Sequence, residues 1–380
     1  MATPVSTAHL DQAARGALAA ELDALHAEIR ADLGAADAAY VRGIIKRQRQ
    51  LELAGRALLL GARSRPALVA GTAALTLSKV IENMELGHNI MHGQWDWMRD
   101  PAIHSTTWEW DAASTAKSWR YSHNFQHHTY TNVVGKDRDL GYSAMRVDPD
   151  QPWHPVYLAQ PFYGLLMALT FEWGIALYDM ELDAVRRGEK TKQRAREELR
   201  AFADKALTQL GKDYALFPAL AGRKGFKQAA AASLVANLVR NVWVHTVVFM
   251  GHIPEPAETF TVAQYEAETR GDWYVRQLAG SCNLDGSPLF HLMTGNLSFQ
   301  IEHHLFPDLP SSRYATIAPR VREICERYGL PYHSGPLGRQ YRSVARKILR
   351  LSFPGGGPKH GERHVAEAPA RTEAPMPVAA

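Results

Sequence analysis

The 380-residue sequence predicts an all-α fold in which several helices are apolar enough to enter a membrane. Through most of residues 1–60, apolar residues recur at the 3.6-residue spacing of a helix. Farther along, apolar stretches of helix length alternate with polar segments, and residues 93–155 contain no stretch that could span a bilayer. The apolar stretches are residues 57–62, 66–81, 157–178 and 229–250.

The N-terminal segment, residues 1–50, is rich in Ala, Leu, Glu and Arg and should form helices. An apolar stripe from Leu18 to Ile29 ends at Gly34, and a second helical stretch runs from about Ala35 to Leu60. We interpret residues 1–50 as a cytosolic helical segment packed on its neighbours. A helix lying on a membrane surface is the alternative interpretation.

The apolar stretches form two pairs, and the pairs differ in how well they fit a membrane. The first pair, residues 57–62 and 66–81, has helices shorter than the roughly 20 residues of a span. It therefore predicts a buried hairpin as readily as a membrane one. The second pair is long enough, although residues 157–178 contain Pro161 and Glu172. Arg240 lies within residues 229–250, and a charge at that depth favours an internal face.

Composition argues against several other classes of protein. The net charge of +4 gives no sign of nucleic-acid binding, and Cys282 and Cys325 are too few for a disulfide framework. The N-terminus lacks an apolar core of the kind found in signal peptides, so we expect no cleaved signal peptide. Residues 351–380 are rich in Pro, Gly and Ala and should form a disordered tail.

Three clusters contain most of the histidines that could bind a metal: residues 88–92, residues 123–128 and residues 300–304. In the first cluster, His88 and His92 lie one helical turn apart and present two imidazoles on one face. Asn89 follows the first histidine, which excludes the metalloprotease pattern with Glu at that position. The run Lys136-Asp137-Arg138-Asp139, after the second cluster, is interpreted as a solvated or salt-bridged loop. The clustered histidines are His88, His92, His123, His127, His128, His303 and His304, and His252 is a plausible eighth.

The number of histidines predicts a site for two metal ions. One zinc ion takes about four ligands, so eight histidines are too many for one metal. Neutral imidazole suits iron, copper, nickel and zinc. Soluble di-iron oxygenases use two E-x-x-H motifs, and here only Glu85 and His88 match, so the site should be dominated by histidine.

A shared site requires all three clusters on one side of the membrane. Two crossings, at residues 157–178 and 229–250, would return the chain to the same side before the third cluster. That arrangement places the basic segment 183–227 on the far side, against the positive-inside tendency. The alternative is that one of the two segments is re-entrant or lies in the interface.

The clusters, their order and the apolar pairs between them resemble the membrane fatty acid desaturase family. The family pattern is H-x(3,4)-H, H-x(2,3)-H-H and [HQ]-x-x-H-H, and the resemblance covers roughly residues 50–330. The run from Asn296 to Pro307 is similar to the third motif, and the stretch from Gly251 to Asn283 also resembles the family. The pattern is most similar to that of bacterial acyl-CoA desaturases without a cytochrome domain.

The resemblance implies an integral membrane bundle of about four transmembrane helices, with a cytosolic helical cap that holds a histidine-rich di-iron site. The desaturase domain would span residues 51–350, in a bacterial inner membrane with the active site on the cytosolic side. The seven clustered histidines would be ligands, and His252 would join them because it follows the last membrane helix. His245, with Asn241, is the competitor, and Gln300 would be a weaker or second-sphere ligand.

The resemblance also implies the reaction: O2-dependent introduction of a cis double bond into a long acyl chain, carried as acyl-CoA or in a lipid, with two Fe²⁺ ions. The chain has no dinucleotide fingerprint, no iron–sulfur cysteine run and no cytochrome b5 motif, so a separate ferredoxin or flavin reductase should supply electrons. A membrane di-iron hydroxylase of the alkane or carotenoid type is the alternative. A non-enzymatic metal-binding or transport protein is disfavoured, because most clustered histidines lie beyond the apolar segments.

Overall fold

The computed structural model of the protein describes residues 9–61 and 64–355. The N-terminal helices form where they were expected from the sequence. Helix α1 begins after Asp11, whose carboxylate accepts a hydrogen bond from the Ala14 N–H. Its apolar stripe packs against two later helices, α14 (Arg270–Ala279) and α17 (Tyr314–Arg327). Most of the expected tail, residues 356–380, lies outside the described residues. The helices are α1 (Gln12–Ala31), α2 (Ala35–Leu60), α3 (Arg65–Ile81), α4 (Asn89–Met91), α5 (Ala116–Trp119) and α6 (His128–Tyr130).

Helices α2 and α3 form a tight antiparallel hairpin. A Cβ at Gly55 would lie 2.9 Å from the Leu75 nitrogen, so only glycine permits this approach. Pro66 lies in the first turn of α3, where a missing N–H costs nothing. A π-helical turn, Glu82–His88, joins α3 to α4, and another, Arg120–His127, joins α5 to α6.

Residues 157–178, predicted as a crossing with a re-entrant segment as the alternative, do not form one continuous helix. The chain forms two helices with Thr170 between them, and both outer ends point to the same end of the molecule. The Gln160 amide donates to the Ile348 carbonyl, and Asp179 accepts from Ser122 beside the second histidine cluster. The helices of this region are α7 (Gln160–Leu169), α8 (Phe171–Asp179), α9 (Leu182–Arg187), α10 (Lys192–Leu210), α11 (Phe217–Leu220) and α12 (Gly222–His252).

The hairpin of α7 and α8 turns where polar groups of α12 hold its apex. Glu172 pairs with Arg240, and the Asn241 amide donates to the Leu169 carbonyl over 2.8 Å. A buried charge requires a partner, so Glu172 must meet Arg240. This contact between distant segments explains why the apolar run does not continue as one helix.

Helix α12 extends the apolar segment predicted at residues 229–250. Among the described residues it is the one helix long and apolar enough to cross a membrane. Only 44% of its most apolar stretch of 18 residues is buried. Val235, Val239 and Val242 are among the side chains that it exposes. The helix therefore has an outer apolar face as well as an inner one.

The C-terminal region combines short helices with one parallel strand pair, in which Leu284 of β1 is paired with Gly335 of β2. Its core packs Phe306 and Tyr314 with residues of α1 and α14. The π-helical turn Gly211–Leu216 and 3-10 turns at Asp96–Met98, Gly141–Ser143, Pro155–Ala159 and Ser311–Arg313 complete the described elements. The remaining elements are α13 (Val262–Glu266), α14 (Arg270–Ala279), β1 (Asn283–Asp285), α15 (Pro288–Met293), α16 (Gln300–Leu305), α17 (Tyr314–Arg327), β2 (Ser334–Pro336) and α18 (Leu337–Leu351).

Candidate metal centre

The eight histidines singled out in the sequence converge in two adjacent groups. In the first group, potential ligand nitrogens of His88, His92, His123 and His303 lie within 4.8 Å of one another. His127, His128 and His304 form the second group by the same measure. The ring centroid of His252 is 4.5 Å from that of His304 and 4.8 Å from that of His127. Each group therefore has four imidazoles.

Three histidines of the first two clusters, His88, His123 and His127, lie on π-helical turns rather than on regular α-helix. In a π turn each N–H bonds to the carbonyl five residues back, and such turns are frequent at functional sites. The wider turn places His123 and His127 above each other, with ring centroids 5.0 Å apart and planes at 27°. From the sequence we predicted that the two histidines of each pair share one helix face, on the assumption of 3.6 residues per turn.

The Nδ1 atoms of six histidines have partners within hydrogen-bond distance, which orients the opposite edge of each ring. Such partners fix the tautomer and the direction of a metal-binding imidazole. The partners are Asn89 Oδ1 for His88, Asp139 Oδ2 for His123, Asp137 Oδ1 for His127, the Gly280 carbonyl for His252, Tyr314 OH for His303 and Gln277 Oε1 for His304.

Buried nitrogens without a hydrogen-bond partner are the strongest sign of a metal site. The Nε2 atoms of His92, His128, His303 and His304 are buried without a hydrogen-bond partner. A buried unsatisfied polar atom costs about 1–3 kcal/mol, so four at one place require compensation. Burial also lowers the pKa of these four imidazoles far below the usual range. They are therefore neutral, which is the form that binds metals.

Two carboxylates that support the histidines were missed in the sequence. Asp137 and Asp139 were read as part of a solvated or salt-bridged loop, but Asp137 is 5% exposed and also accepts the N–H of Asn132. Burial opposes a charge on His127, yet Asp137 and Asp139 outweigh it and raise its pKa. Arg138 of the run forms the expected ion pairs, with Glu181 and with Asp183. The available signal was an alternating acid pair soon after a histidine cluster.

The structure separates the candidate for the eighth position from its competitor. His252 lies with the second group. Its Nε2 atom is 2.8 Å from Nε2 of Gln300, and the Oε1 atom of Gln300 is buried without a hydrogen-bond partner. His245 instead stacks on Phe249, with ring centroids 3.9 Å apart, and belongs to neither group. Asn241 accepts from Arg240 and holds the apex of the α7–α8 hairpin.

A narrow, mainly apolar cavity lies beside the first histidine group. His88 and His123 form part of its wall, and the indole of Trp119 packs against both rings. Along α12 the wall runs from Val248 to Arg240. The rest of the wall includes apolar and aromatic residues (Met84, Trp110, Tyr142, Phe171, Ile175 and Leu297) and polar ones (Asn83, Ser114, Ser122, Asp139, Glu172 and Asp179). The cavity could therefore hold a slender apolar chain against the histidines.

The helical fold and the grouped histidines define a helical metalloprotein with a histidine-lined site next to an apolar cavity. Residues 64–336 match the fatty acid desaturase family model, and the chain belongs to that family. It is therefore an oxidoreductase, and the family supports its association with a membrane.

Three relatives illustrate the range of similarity. The chain is 47% identical to the NADPH-dependent stearoyl-CoA 9-desaturase of Mycobacterium tuberculosis (strain ATCC 25618 / H37Rv), over 91% of this chain and 82% of the relative. It is 26% identical to the sn-1 linoleoyl-lipid 6-desaturase of Synechocystis, over 71% and 76% of the two chains. It is 27% identical to human fatty acid desaturase 3, over 62% and 50%.

Proposed function

We propose that the chain is an O2-dependent acyl-CoA desaturase that introduces a cis double bond at carbon 9 of a long saturated chain. The acyl-CoA substrate and the bond position follow the name of the mycobacterial relative. The observation that supports the proposal is the pair of histidine groups with buried, unpartnered Nε2 atoms beside an apolar cavity.

The proposed cofactor is a pair of iron ions, one for each histidine group. His88, His92, His123 and His303 would hold one ion, and His127, His128, His252 and His304 would hold the other. When bound, iron supplies activation of O2 and removal of hydrogen from an unactivated methylene. Asp137 and Asp139 would orient imidazoles. Gln300, whose amide lies 2.8 Å from Nε2 of His252, would be a weaker or alternative ligand of the second ion.

The proposed substrate pocket is the cavity beside the first group, because its length fits the part of the chain beyond the bond. From Val248 to Arg240, α12 rises about 12 Å at about 1.5 Å per residue. An extended acyl chain advances about 1.3 Å per carbon for bonds of about 1.5 Å, so this distance holds roughly nine carbons. The Arg240–Glu172 pair would stop the methyl end, since parting a buried pair costs about 3–5 kcal/mol.

The proposed membrane arrangement has four crossings: α2, α3, α10 with α11, and α12. Helices α7 and α8 would enter the bilayer from the metal side and return to it. Phe162 and Leu165 on α7, and Leu207 and Leu216 on the α10–α11 crossing, are exposed apolar side chains that would face lipid. The basic start of α10 then lies on the same side as the histidines, in agreement with the positive-inside tendency. That side would be the cytosol.

The test is a fatty-acid profile by gas chromatography–mass spectrometry after expression in a bacterial host with a ferredoxin-type reductase. We expect a new cis-9 monounsaturated acid with the wild type and with His154→Ala, a histidine outside both groups, but not with His127→Ala. Iron analysis should give about two ions per chain, by the four-ligand count. A hydroxylated product would instead assign the chain to the hydroxylases, and no new product with a competent reductase would refute the substrate.

A further inference from the structure

Part of α9 and α10 carries positive charge that the described protein does not neutralise. Residues 183–200 contain seven basic and four acidic residues. Among the described residues, three of the acids are paired: Asp183, Glu189 and Glu198 contact Arg187, Arg138, Lys190 or Arg194. Four exposed cations have no acidic partner in any ion pair found there. We call them the basic face: Arg186, Lys192, Arg196 and Arg200.

A short chain of contacts joins Glu181, five residues before the first cation of the basic face, to the histidine groups. Glu181, at the start of α9, accepts hydrogen bonds from Gln126 within the second cluster and from Arg138. Arg138 stands between the two aspartates that hold His123 and His127. Its guanidinium also lies 4.7 Å from the centroid of the Tyr178 ring, whose hydroxyl donates to Asp139. The segment that leads into the basic face therefore contacts the residues that support the metal site.

The second basic helix, α18, has a different character. It exposes Arg339, Arg342 and Arg346, but Tyr341 and Leu349 are also exposed among them. Basic and large apolar side chains on one helix are typical of a helix that lies on a lipid surface. The start of α10, residues 192–200, exposes only Leu199 among large apolar side chains, so its chemistry fits a soluble acidic partner.

We propose that the basic face docks an acidic electron-carrier protein of the ferredoxin class. This inference rests on the proposed function, which requires a reductant. In that reaction O2 takes two electrons with two hydrogens from the substrate and two electrons from the carrier with two protons. The products are one carbon–carbon double bond and two water molecules. The carrier would deliver its electrons near Arg138 and the aspartates beside it.

The experiment uses the iron-loaded enzyme in lipid nanodiscs with a reduced, acidic plant-type [2Fe–2S] ferredoxin. The test variant combines Arg186→Gln, Lys192→Gln, Arg196→Gln and Arg200→Gln. The matched control combines Arg339→Gln, Arg342→Gln and Arg346→Gln. We expect the test variant to raise the KM for ferredoxin at least about tenfold and to lose the salt dependence of the wild type. The control should keep both values.

Two further measurements separate failure of docking from failure of the proposed function. Direct binding of ferredoxin to the immobilised enzyme should weaken in the test variant only, whether or not turnover occurs. Single turnover driven by dithionite bypasses docking and should be equal in all three proteins. Unchanged KM and binding in the test variant, or losses confined to the α18 control, would overturn the docking inference. Absence of unsaturated product from the wild type with dithionite would instead overturn the proposed function.

Discussion

Substitution of Val244 by Phe should shorten the acyl chain that the enzyme accepts. Val244 lies in the cavity wall on α12, four residues closer to the metal side than Arg240. Four residues of helix rise about 6 Å, and at about 1.3 Å per carbon this equals four to five carbons. The larger ring would end the pocket near Val244, so a chain of about 14 carbons should fit where 18 carbons did before.

The size of the change in chain-length preference follows from the number of methylene groups that the pocket no longer holds. Burial of one CH2 group is worth about 0.8 kcal/mol, so four displaced groups cost about 3 kcal/mol. That free energy corresponds to a fall of roughly 100-fold in kcat/KM for stearoyl-CoA relative to myristoyl-CoA. The double bond should stay at the same distance from the carboxyl end, because the histidine groups do not move.

The assay is a competition between myristoyl-, palmitoyl- and stearoyl-CoA, with products resolved by gas chromatography–mass spectrometry. Val242→Phe is the matched control, since Val242 is on the same helix but is 38% exposed and outside the cavity wall. It should leave the product ratio unchanged. If Val244→Phe retains activity and the wild-type ratio, the cavity does not hold the methyl end of the substrate and the reasoning fails.

Three further predictions concern the metal supports and the fold. Asp137→Asn should lower iron affinity about 10- to 100-fold by removing a carboxylate from an imidazole; iron content after chelator dialysis checks this against the exposed Asp204→Asn. Gly295→Ala should cost about 2 kcal/mol, because its φ is 66° and a Cβ would lie 2.4 Å from a main-chain oxygen. Gly174→Ala, with open space, should be neutral or stabilising by under about 1 kcal/mol, and denaturation midpoints compare the two. Finally, burial holds the pKa of His303 below its unfolded value, so the unfolded iron-free chain binds more protons. Its thermal midpoint should be highest above about pH 6.5 and fall at lower pH, and a constant midpoint across that range would contradict this.

Much of the site could be predicted from the sequence because the histidines of each pair are close together in the chain. His88 and His92, and likewise His123 and His127, are separated by one helical turn, and that spacing places each pair on one face whether the turn is α or π. The choice of His252 over His245 was an expectation from sequence, and only the structure distinguishes their surroundings. The aspartates were not recognised, because a charged run far from its partner looks the same as a solvated loop.

The sequence alone determined the α-helical class, the bounds of α2, the apolar stripe of α1, the apolar part of α12 and the three histidine clusters. These features depend on side-chain periodicity and on caps such as Asp11, which act between neighbours in the chain. The tertiary structure decided how the histidines divide into two groups, which carboxylates hold them, and why residues 157–178 turn back at Thr170. The physical reason is that contacts such as Glu172 with Arg240 join segments far apart in sequence, and burial of both partners makes their pairing obligatory.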